Sequence, residues 1–259
     1  MCDTCGCGDS EKISVEINES LLAGNTAQAA HNREHFAARG MFAINLMGSP
    51  GSGKTALLEA TARAMSALSG KSAAGSSHRL AALSGDLATD HDGARLRAAG
   101  IPAATITTGS ACHLDAKLVH NALHHLDLGD ADTLVIENVG NLVCPAIYDL
   151  GEAAAVVALS VTEGEDKPLK YPVMFRQADL VLVTKVDLLP HLPGFCMEVL
   201  EDALARTMPR LRVIRVSVLT GEGLPEWIAW LEERRSAVVA AGAAQGRDPH
   251  HGHRHPHAP

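Results

Sequence analysis

Short apolar runs recur along this chain from Met41 onward and alternate with longer stretches of helical composition. Such runs are typical of strands buried on both faces of a sheet, and their alternation with helices predicts parallel βαβ units. The sequence therefore predicts an α/β fold with a doubly wound, mostly parallel sheet of about seven strands. The predicted strands are MFAINLM, RLAALSGD, PAATITT, TLVIEN, AVVALSVT, ADLVLVTKVD and LRVIRVSV.

The pattern changes at both ends of the chain. The first residues are polar and rich in cysteine, and the last are rich in Gly, Pro and His without periodicity. We predict a Cys-rich metal-binding tail over residues 1–15, a lead helix and linker over 16–40, one domain over 41–238, and a disordered His-rich tail over 239–259.

Composition and charge narrow the functional classes. With 259 residues and 46% hydrophobic content, the chain can bury a full core. Its net charge of −8 argues against a nucleic-acid surface, and it has neither a signal peptide pattern nor an apolar run of the roughly 18 residues that span a bilayer. We expect a cytoplasmic protein without nucleic-acid or membrane partners, in which clustered cysteines bind metal or carry redox chemistry.

A phosphate-binding motif follows the first predicted strand. GSPGSGKT matches G-x-x-x-x-G-K-[ST] at every fixed position and leads into a helical stretch. Lys54 is expected to reach the β and γ phosphates of a nucleotide, and Thr55 to bind Mg²⁺. The loop residues expected to surround the phosphates are Gly48, Ser49, Pro50, Gly51, Ser52 and Gly53.

Two other strand ends supply carboxylates. Glu137 and Gly140 in TLVIENVGN resemble the D-x-x-G loop of GTPases, with Glu137 acting on Mg²⁺ and the Gly140 N–H contacting the γ-phosphate. The structural alternative is a strand-end carboxylate followed by a turn glycine. Asp86 is a second candidate for magnesium binding and catalysis, with Asp90 and Asp92 as further options.

The VTKVDLLP segment resembles the N-K-x-D element that selects guanine. The Asp187 carboxylate can accept the N1–H and 2-amino protons of guanine, and the Lys185 stem can cover the purine face; a strand running into a Pro turn is the alternative. Thr184 stands where this element usually has Asn. Threonine lacks the carboxamide that braces the base-binding loop, so we expect weaker guanine selectivity. Ser217 and Val218 in SVLTGEG resemble the last guanine-contacting loop.

Three cysteines at the start of the chain form C-x-x-C-x-C. Cys2, Cys5 and Cys7 are soft ligands close enough to meet on one ion without a folded scaffold. If Met1 is removed, the Cys2 amine becomes a fourth donor, and such a set suits planar Ni²⁺ or tetrahedral Zn²⁺. A redox role or an incidental polar tail is the alternative.

A second thiol and imidazole group follows two strands. Cys112 and His113 come after ATITTG, and Cys144 lies four residues beyond Gly140. Their strands are expected to end at the edge that carries the phosphate loop, which predicts a second metal site; core packing is the alternative. Cys196 lacks partners and is predicted at an apolar helix position.

Histidines form two further groups. His124 and His125 are expected on a solvated helix face. The C-terminal histidines are expected to bind several Ni or Zn ions weakly, although an expression tag is the alternative, disfavoured by the interrupting Gly, Arg and Pro. These are His250, His251, His253, His255 and His257.

Taken in order, these motifs resemble the HypB family, nickel-handling GTPases of [NiFe]-hydrogenase maturation, over nearly the whole chain. The matching segments are CDTCGCG, GSPGSGKT, GDLATDHD, GSACHLDA, ENVGNLVCP, EGEDKPLKYPVMF and TKVDLLP. The resemblance implies a P-loop GTPase of the dimerising SIMIBI type that hydrolyses GTP to GDP and delivers nickel. It also implies a GTP-favoured homodimer, a HypA-type nickel chaperone, the [NiFe]-hydrogenase large subunit as recipient, and a Ni²⁺ or Zn²⁺ site at Cys112, His113 and Cys144 by the dimer contact.

Two other functions remain open at this point. A urease-type nickel GTPase shares the same nucleotide-binding logic but carries a Cys-Pro-His motif, whereas Cys112-His113 and Cys144-Pro145 are separate here. A nickel storage protein with a vestigial nucleotide site is disfavoured by the intact Lys54 and Thr55. We expect slow turnover, because no Gln or Arg finger occupies a matching position.

Overall fold

The computed structural model describes residues 9–69, 79–109 and 111–245. Seven strands in these ranges form one parallel sheet, which confirms the predicted α/β class. The strands are β1 (Phe42–Gly48), β2 (Leu80–Asp86), β3 (Ala103–Thr107), β4 (Thr133–Glu137), β5 (Ala154–Ser160), β6 (Leu180–Thr184) and β7 (Val213–Val216). Their order is β3-β2-β4-β1-β5-β6-β7, so β1 lies at the centre of the sheet.

Helices connect consecutive strands and cover both faces of the sheet. The α-helices are α1 (Asp9–Ala38), α2 (Lys54–Ser69), α3 (His91–Ala98), α4 (Ala116–Leu123), α5 (Lys167–Lys170), α6 (Pro172–Gln177), α7 (Met197–Thr207) and α8 (Leu224–Gln245). Short 3₁₀ helices span Cys144–Ala146, Val161–Glu163 and Val186–His191. Within the described residues, no helix is both long and apolar enough to cross a membrane.

Alternation along β1 divides the core between the two faces of the sheet. Phe42, Ile44 and Leu46 point to the face covered by α2, α3 and α8, where Trp227 and Trp230 stack on each other. The opposite face is covered by α1 and α4 at one end and by α6 and α7 at the other. All seven β1 residues are buried, as expected for a strand covered on both faces.

The helices at the chain ends are longer than the sequence indicates. Helix α1 begins at Asp9, so residues 9–15, predicted as part of the Cys-rich tail, are helical. Helix α8 continues to Gln245, so the prediction of disorder from 239 onward is wrong for 239–245. Alanine has the highest helix propensity, and Ala240, Ala241, Ala243 and Ala244 favour the continuation of α8.

Two asparagines attach α1 to the domain. Asn32, which is fully buried, donates from Nδ2 to the backbone oxygens of Ala116 (2.8 Å) and Leu150 (3.0 Å). Asn25 accepts a hydrogen bond from the Ala116 N–H at 2.9 Å. These bonds hold α1 against the first turn of α4, which follows the predicted Cys112-His113 site directly.

Loss of the Asn32 amide should destabilise the whole fold. In Asn32→Ala two buried carbonyls lose their partner, and each unsatisfied group costs about 1–3 kcal/mol. We expect urea unfolding to show a loss of about 2–4 kcal/mol. Glu34→Ala, at an exposed position of the same helix, is the control, and an equal loss in both variants would contradict the anchoring role.

Candidate nucleotide and metal site

The P-loop joins the buried end of β1 to the first turn of α2. Gly48 has a φ of 151°, and a Cβ at this position would lie 2.3 Å from the Ala158 backbone oxygen. A side chain therefore cannot be accommodated where the loop leaves the sheet. The loop then turns the N-terminus of α2 toward a cavity of about 360 Å³ at the carboxyl edge of the sheet, which is where parallel α/β folds bind anions.

Lys54 and Thr55 lie together at the wall of this cavity. The Lys54 Nζ donates to the backbone oxygens of Gly48 (3.1 Å) and Ser49 (3.0 Å), and burial lowers the pKa of the amine, although Glu137 opposes the shift. The Thr55 hydroxyl donates to Glu137 Oε1 at 2.7 Å. The lysine is thus held on the loop by two weak acceptors, which phosphate oxygens can replace.

Glu137 is the deeply buried carboxyl group of the site. Burial raises its pKa, while the hydrogen bond from Thr55 and the charge of Lys54 oppose the rise. Ser84 lies 3.5 Å from its second oxygen. A hydroxyl and a carboxylate in contact are ligands that Mg²⁺ prefers, so Thr55 and Glu137 fit this ion.

Asp86 lines the same cavity from the end of β2 and is much more exposed than Glu137. A hydrogen bond from the Thr89 hydroxyl holds its pKa below the usual carboxyl range. Asp92 also lines the cavity, whereas Asp90 is bound by Thr105 and Arg97 on the far side of α3. Of the two further acids considered from the sequence, the structure places only Asp92 at the site.

Arg95 is a cavity residue that the sequence motifs do not reveal. It lies one helical turn after Asp92 and lines the cavity beside the P-loop. Its guanidinium forms two 3.0 Å bonds to Glu59 and one of 3.3 Å to Asp92. The i, i+3 spacing of Asp92 and Arg95 in the DHDGARLR segment is the only signal for it, and such pairs are common on solvated helices.

The end of β6 contacts the P-loop from the other side. The Thr184 hydroxyl donates to the Ser52 backbone oxygen at 2.6 Å, and Lys185, with a φ of 59°, donates from Nζ to the Gly51 oxygen at 2.6 Å. The brace expected to be missing without an Asn carboxamide is therefore supplied by the Thr184 hydroxyl. Asp187 Oδ1 accepts from the Ser217 hydroxyl at 2.5 Å, which fixes one carboxylate oxygen, and Val218 beside it is partly exposed.

Cys112, His113 and Cys144 come together in space. One potential ligand atom from each lies within 4.8 Å of the others, and the two sulfurs are 3.0 Å apart. The hydrogen bond with Cys112 raises the pKa of the Cys144 thiol, and burial lowers the pKa of His113, whose ring stacks on Tyr148 with centroids 4.0 Å apart. Two thiols in contact beside an imidazole form a set that Ni²⁺ or Zn²⁺ can bind with proton release.

Asn141 links the metal cluster to the P-loop, a role that the motifs do not indicate. Its N–H donates to the Gly48 oxygen at 3.1 Å, and its Nδ2 donates to the Cys112 oxygen at 3.2 Å. Its Oδ1 accepts from the Val143 N–H at 2.8 Å, which orients the turn before Cys144. The neighbouring Gly140 passes so close to the P-loop that a Cβ would lie 2.8 Å from the Pro50 nitrogen.

Other residues predicted to bind metal cannot be placed in this way. Cys2, Cys5, Cys7 and the histidines from His250 to His257 lie outside the described residues.

Cys196 is not at an apolar helix position: it is exposed, precedes α7, and lies 3.1 Å from Glu198 Oε2. Cys196 and Glu198 at the start of α7 are both exposed. The sequence around a lone cysteine does not predict this exposure.

Comparison with known proteins agrees with this geometry. Residues 42–215 match the family described as CobW/HypB/UreG, nucleotide-binding domain. Hydrogenase maturation factor HypB of Azotobacter chroococcum is 50% identical over 90% of this chain and 73% of its own, and the Escherichia coli K12 protein of that name is 46% identical over 89% and 76%. The chain belongs to the HypB family.

Solved structures of HypB proteins superpose on this fold. HypB from Helicobacter pylori in complex with nickel has a TM-score of 0.74 and 36% identity, covering 83% of this chain and 96% of its own. HypB from Archaeoglobus fulgidus has a TM-score of 0.72 and 40% identity, covering 83% and 100%. A LAO/AO transport system kinase, 16% identical with a TM-score of 0.51 over 88% of this chain and 79% of its own, shares the fold alone.

Burial of Glu137 has a consequence for stability that pH titration can measure. Because its pKa is raised in the folded chain, the carboxyl group favours folding when protonated, and this contribution is lost as the pH rises above the usual carboxyl range. We expect Glu137→Gln to unfold at higher urea than the parent in EDTA at pH 7, with a gap that shrinks toward pH 4. Glu226→Gln, at an exposed position, is the control. A gap independent of pH would contradict the buried-acid assignment.

Proposed function

We propose that this chain is a cytoplasmic, nickel-binding GTPase that hydrolyses GTP to GDP and delivers nickel during [NiFe]-hydrogenase maturation. The observation that carries the proposal is Asn141, which bonds the P-loop through Gly48 and the thiol and imidazole cluster through Cys112. A nucleotide site and a metal site that share one residue suit a protein that releases metal when it hydrolyses nucleotide. The proposal is also supported by the name of the relatives, hydrogenase maturation factor HypB, and by the nickel bound to one of them.

In this proposal the P-loop holds the triphosphate and Lys54 leaves its two backbone acceptors to bind the β and γ phosphates. Thr55 and Glu137, with Asp86 at the open side of the cavity, would hold Mg²⁺, which supplies charge neutralisation on the phosphates. The Gly140 N–H would contact the γ-phosphate. Arg95 is engaged by Glu59 and Asp92, so none of the described residues that line the cavity offers a free guanidinium to the phosphates, and intrinsic turnover is expected to be slow.

Guanine would be selected by Asp187. Its hydrogen bond from Ser217 leaves the second carboxylate oxygen available, and Lys185 donates from Nζ to the Gly51 oxygen of the P-loop, so its aliphatic stem would cover the purine face. Because Thr184 bonds the Ser52 oxygen, the base loop and the phosphate loop move as one unit. Base recognition is therefore coupled to the geometry of the phosphates.

The Asp187→Asn variant tests the nucleotide assignment. An amide cannot accept both guanine donors, and hydrogen bonds to a charged group contribute about 1.5–3 kcal/mol each, so GTP affinity should fall about 100-fold while XTP affinity rises. Turnover of GTP and XTP by purified protein measures the change, with Lys54→Ala as the variant that should hydrolyse neither. A variant that still prefers GTP would show that Asp187 does not read the base.

Coupling between the two sites follows from the loop that connects them. Gly140 and Asn141 contact the P-loop, and Cys144 follows after a turn that Asn141 orients. Loss of the γ-phosphate would relax this loop and move the Cys144 sulfur relative to Cys112 and His113. A displaced thiolate changes metal affinity, and by reciprocity the metal changes nucleotide affinity by the same factor.

The Asn141→Ala variant should uncouple metal from nucleotide. In the parent, Ni²⁺ affinity should differ between GDP and a non-hydrolysable GTP analogue by about 5–150-fold, and in the variant by less than about 3-fold. Calorimetric titration of a chain with Cys2, Cys5 and Cys7 replaced by Ser and residues 250–259 removed, compared with the same chain carrying Cys144→Ser, isolates the Cys112 site. Asn121→Ala, an exposed asparagine on α4, is the control. If the ratio of Ni²⁺ affinities in the two nucleotide states is the same in the parent and in Asn141→Ala, Asn141 does not couple the two sites.

Assembly would complete the metal site. Val143 and Ile147, each 52% exposed, flank Cys144 and form an apolar surface around the cluster. A GTP-favoured homodimer through this face would bring two three-ligand sets together around nickel or zinc. A HypA-type chaperone would load nickel, the hydrogenase large subunit would receive it, and Cys2, Cys5, Cys7 and the C-terminal histidines would bind and store further ions.

A second candidate function is that of a nickel GTPase for urease maturation. The H. pylori relative, 38% identical over 86% of this chain and 89% of its own, is called hydrogenase/urease maturation factor HypB. The separation of Cys112-His113 from Cys144-Pro145 and the higher identity to the hydrogenase factors favour hydrogenase. A vestigial nucleotide site is disfavoured because Lys54, Thr55 and Glu137 are assembled around one cavity.

A further inference from the structure

Four histidines lie where α1 packs against α4, apart from the nucleotide and thiol sites. His31 and His35 are one helical turn apart on α1, and His120 is one turn from His124 at the end of α4. The His31 and His120 rings are 5.1 Å apart between centroids, and the His120 and His124 rings 4.7 Å. The i, i+4 spacing places each pair on one helix face, and the packing brings the two faces together.

The His120 and His124 pair has the geometry of a chelate. Their Nε2 atoms are 3.2 Å apart. Two imidazole nitrogens that each bind one tetrahedral zinc at 2.0–2.1 Å are about 3.3 Å from each other. The two rings therefore need almost no movement to share an ion, with only the hydrogen bond between them exchanged for two metal bonds.

The state of His120 also suits metal binding. Its Nδ1 is buried and has no hydrogen-bond partner among the described residues, so Nε2 is the nitrogen through which this ring makes polar contact. This Nε2 faces the Nε2 of His124, so an ion bound between the two rings would be held through these two nitrogens.

Helix α1 is held in place independently of these histidines. Asn25 and Asn32 bond the first residue of α4, which fixes the axial position of α1 and places His31 beside His120 before any ion binds. The ring contact brings the His31 and His120 imidazoles together, and a nitrogen of His31 has to turn toward the two Nε2 atoms to add a third bond to one ion. His124 and His125 are both exposed, as expected for a solvated helix face, and His125 is outside these ring contacts.

We propose that His120 and His124, with His31 from α1, form a second transition-metal site that binds Zn²⁺ or Ni²⁺ and clamps α1 to α4. Imidazole is a preferred ligand of both ions. His35 lies one turn along α1 and can supply a fourth nitrogen. The site joins the helix that leads to the N-terminal cysteines with the helix that follows His113, so metal supply would set how firmly the N-terminal segment is attached.

Zinc titration of the full-length protein tests the clamp. ZnCl₂ is the probe, with bound zinc counted by equilibrium dialysis and Tm measured by calorimetry for the parent, His124→Ala and His125→Ala. His124→Ala removes an exposed ligand and should bind one zinc fewer per chain. At free zinc about 100-fold above Kd, its zinc-induced rise in Tm should be smaller by about 5–10 °C. His125→Ala, the adjacent exposed histidine, should match the parent in both measurements.

His31→Ala separates a clamp from a simple pair on α4. If His31 is a ligand, this variant should bind the site's zinc at least about 10-fold more weakly and lose most of the same Tm increment, since a clamp stabilises only by binding both helices. Tm without metal should stay near that of the parent in all variants, because the replaced side chains are exposed. An unchanged zinc count in His124→Ala would overturn the site, and an unchanged Tm increment in His31→Ala would overturn the clamp.

Discussion

The P-loop and the loop after β4 approach each other so closely that neither Gly48 nor Gly140 can carry a side chain. A Cβ on Gly48 would collide with the Ala158 oxygen, and one on Gly140 with the backbone of Pro50. This contact allows the Asn141 N–H to reach the Gly48 oxygen as a single bridge between the two loops. The nucleotide cavity and its connection to the cysteine cluster depend on this contact, because the P-loop lines the cavity and the loop after β4 carries Cys144 and Asn141, whose side chain reaches the Cys112 oxygen.

A series of buried hydrogen bonds holds the loop after β4 in the position where it contacts the P-loop. Asn138 accepts from the Leu114 N–H and donates to Asn45, which in turn donates to Glu152. Burial raises the pKa of Glu152, and the carboxylate accepts a further bond from the Leu150 N–H. An unsatisfied buried group costs about 1–3 kcal/mol. This series of hydrogen bonds therefore fixes the positions of the segment after His113 and of the loop after Glu137. The metal ligands are therefore positioned by the sheet rather than by the ion.

Helix α1 adds a third part to this arrangement. It is tied to α4 through Asn25 and Asn32 and brings His31 to His120, so the segment that begins with the N-terminal cysteines is attached beside the metal loop. The structure thus combines a candidate nucleotide cavity, a thiol and imidazole cluster and a histidine cluster on adjoining elements. Hydrogen bonds from Asn141 connect the first two.

Sequence alone determined the fold class, all seven strands and the P-loop motif, and it singled out Glu137, Asp187, Cys112, His113 and Cys144 as candidate site residues, because local periodicity and fixed spacings carry that information. It did not reveal Asn141, Arg95 or the bond from Thr184 to Ser52, and it placed Cys196 in an apolar position. The first three depend on partners that are far away in the chain: Asn141 meets Gly48 and Cys112, Arg95 meets Glu59, and Thr184 meets Ser52. A single residue with an ordinary polar side chain has no local signal, and only the tertiary structure decides which backbone or ring it will meet.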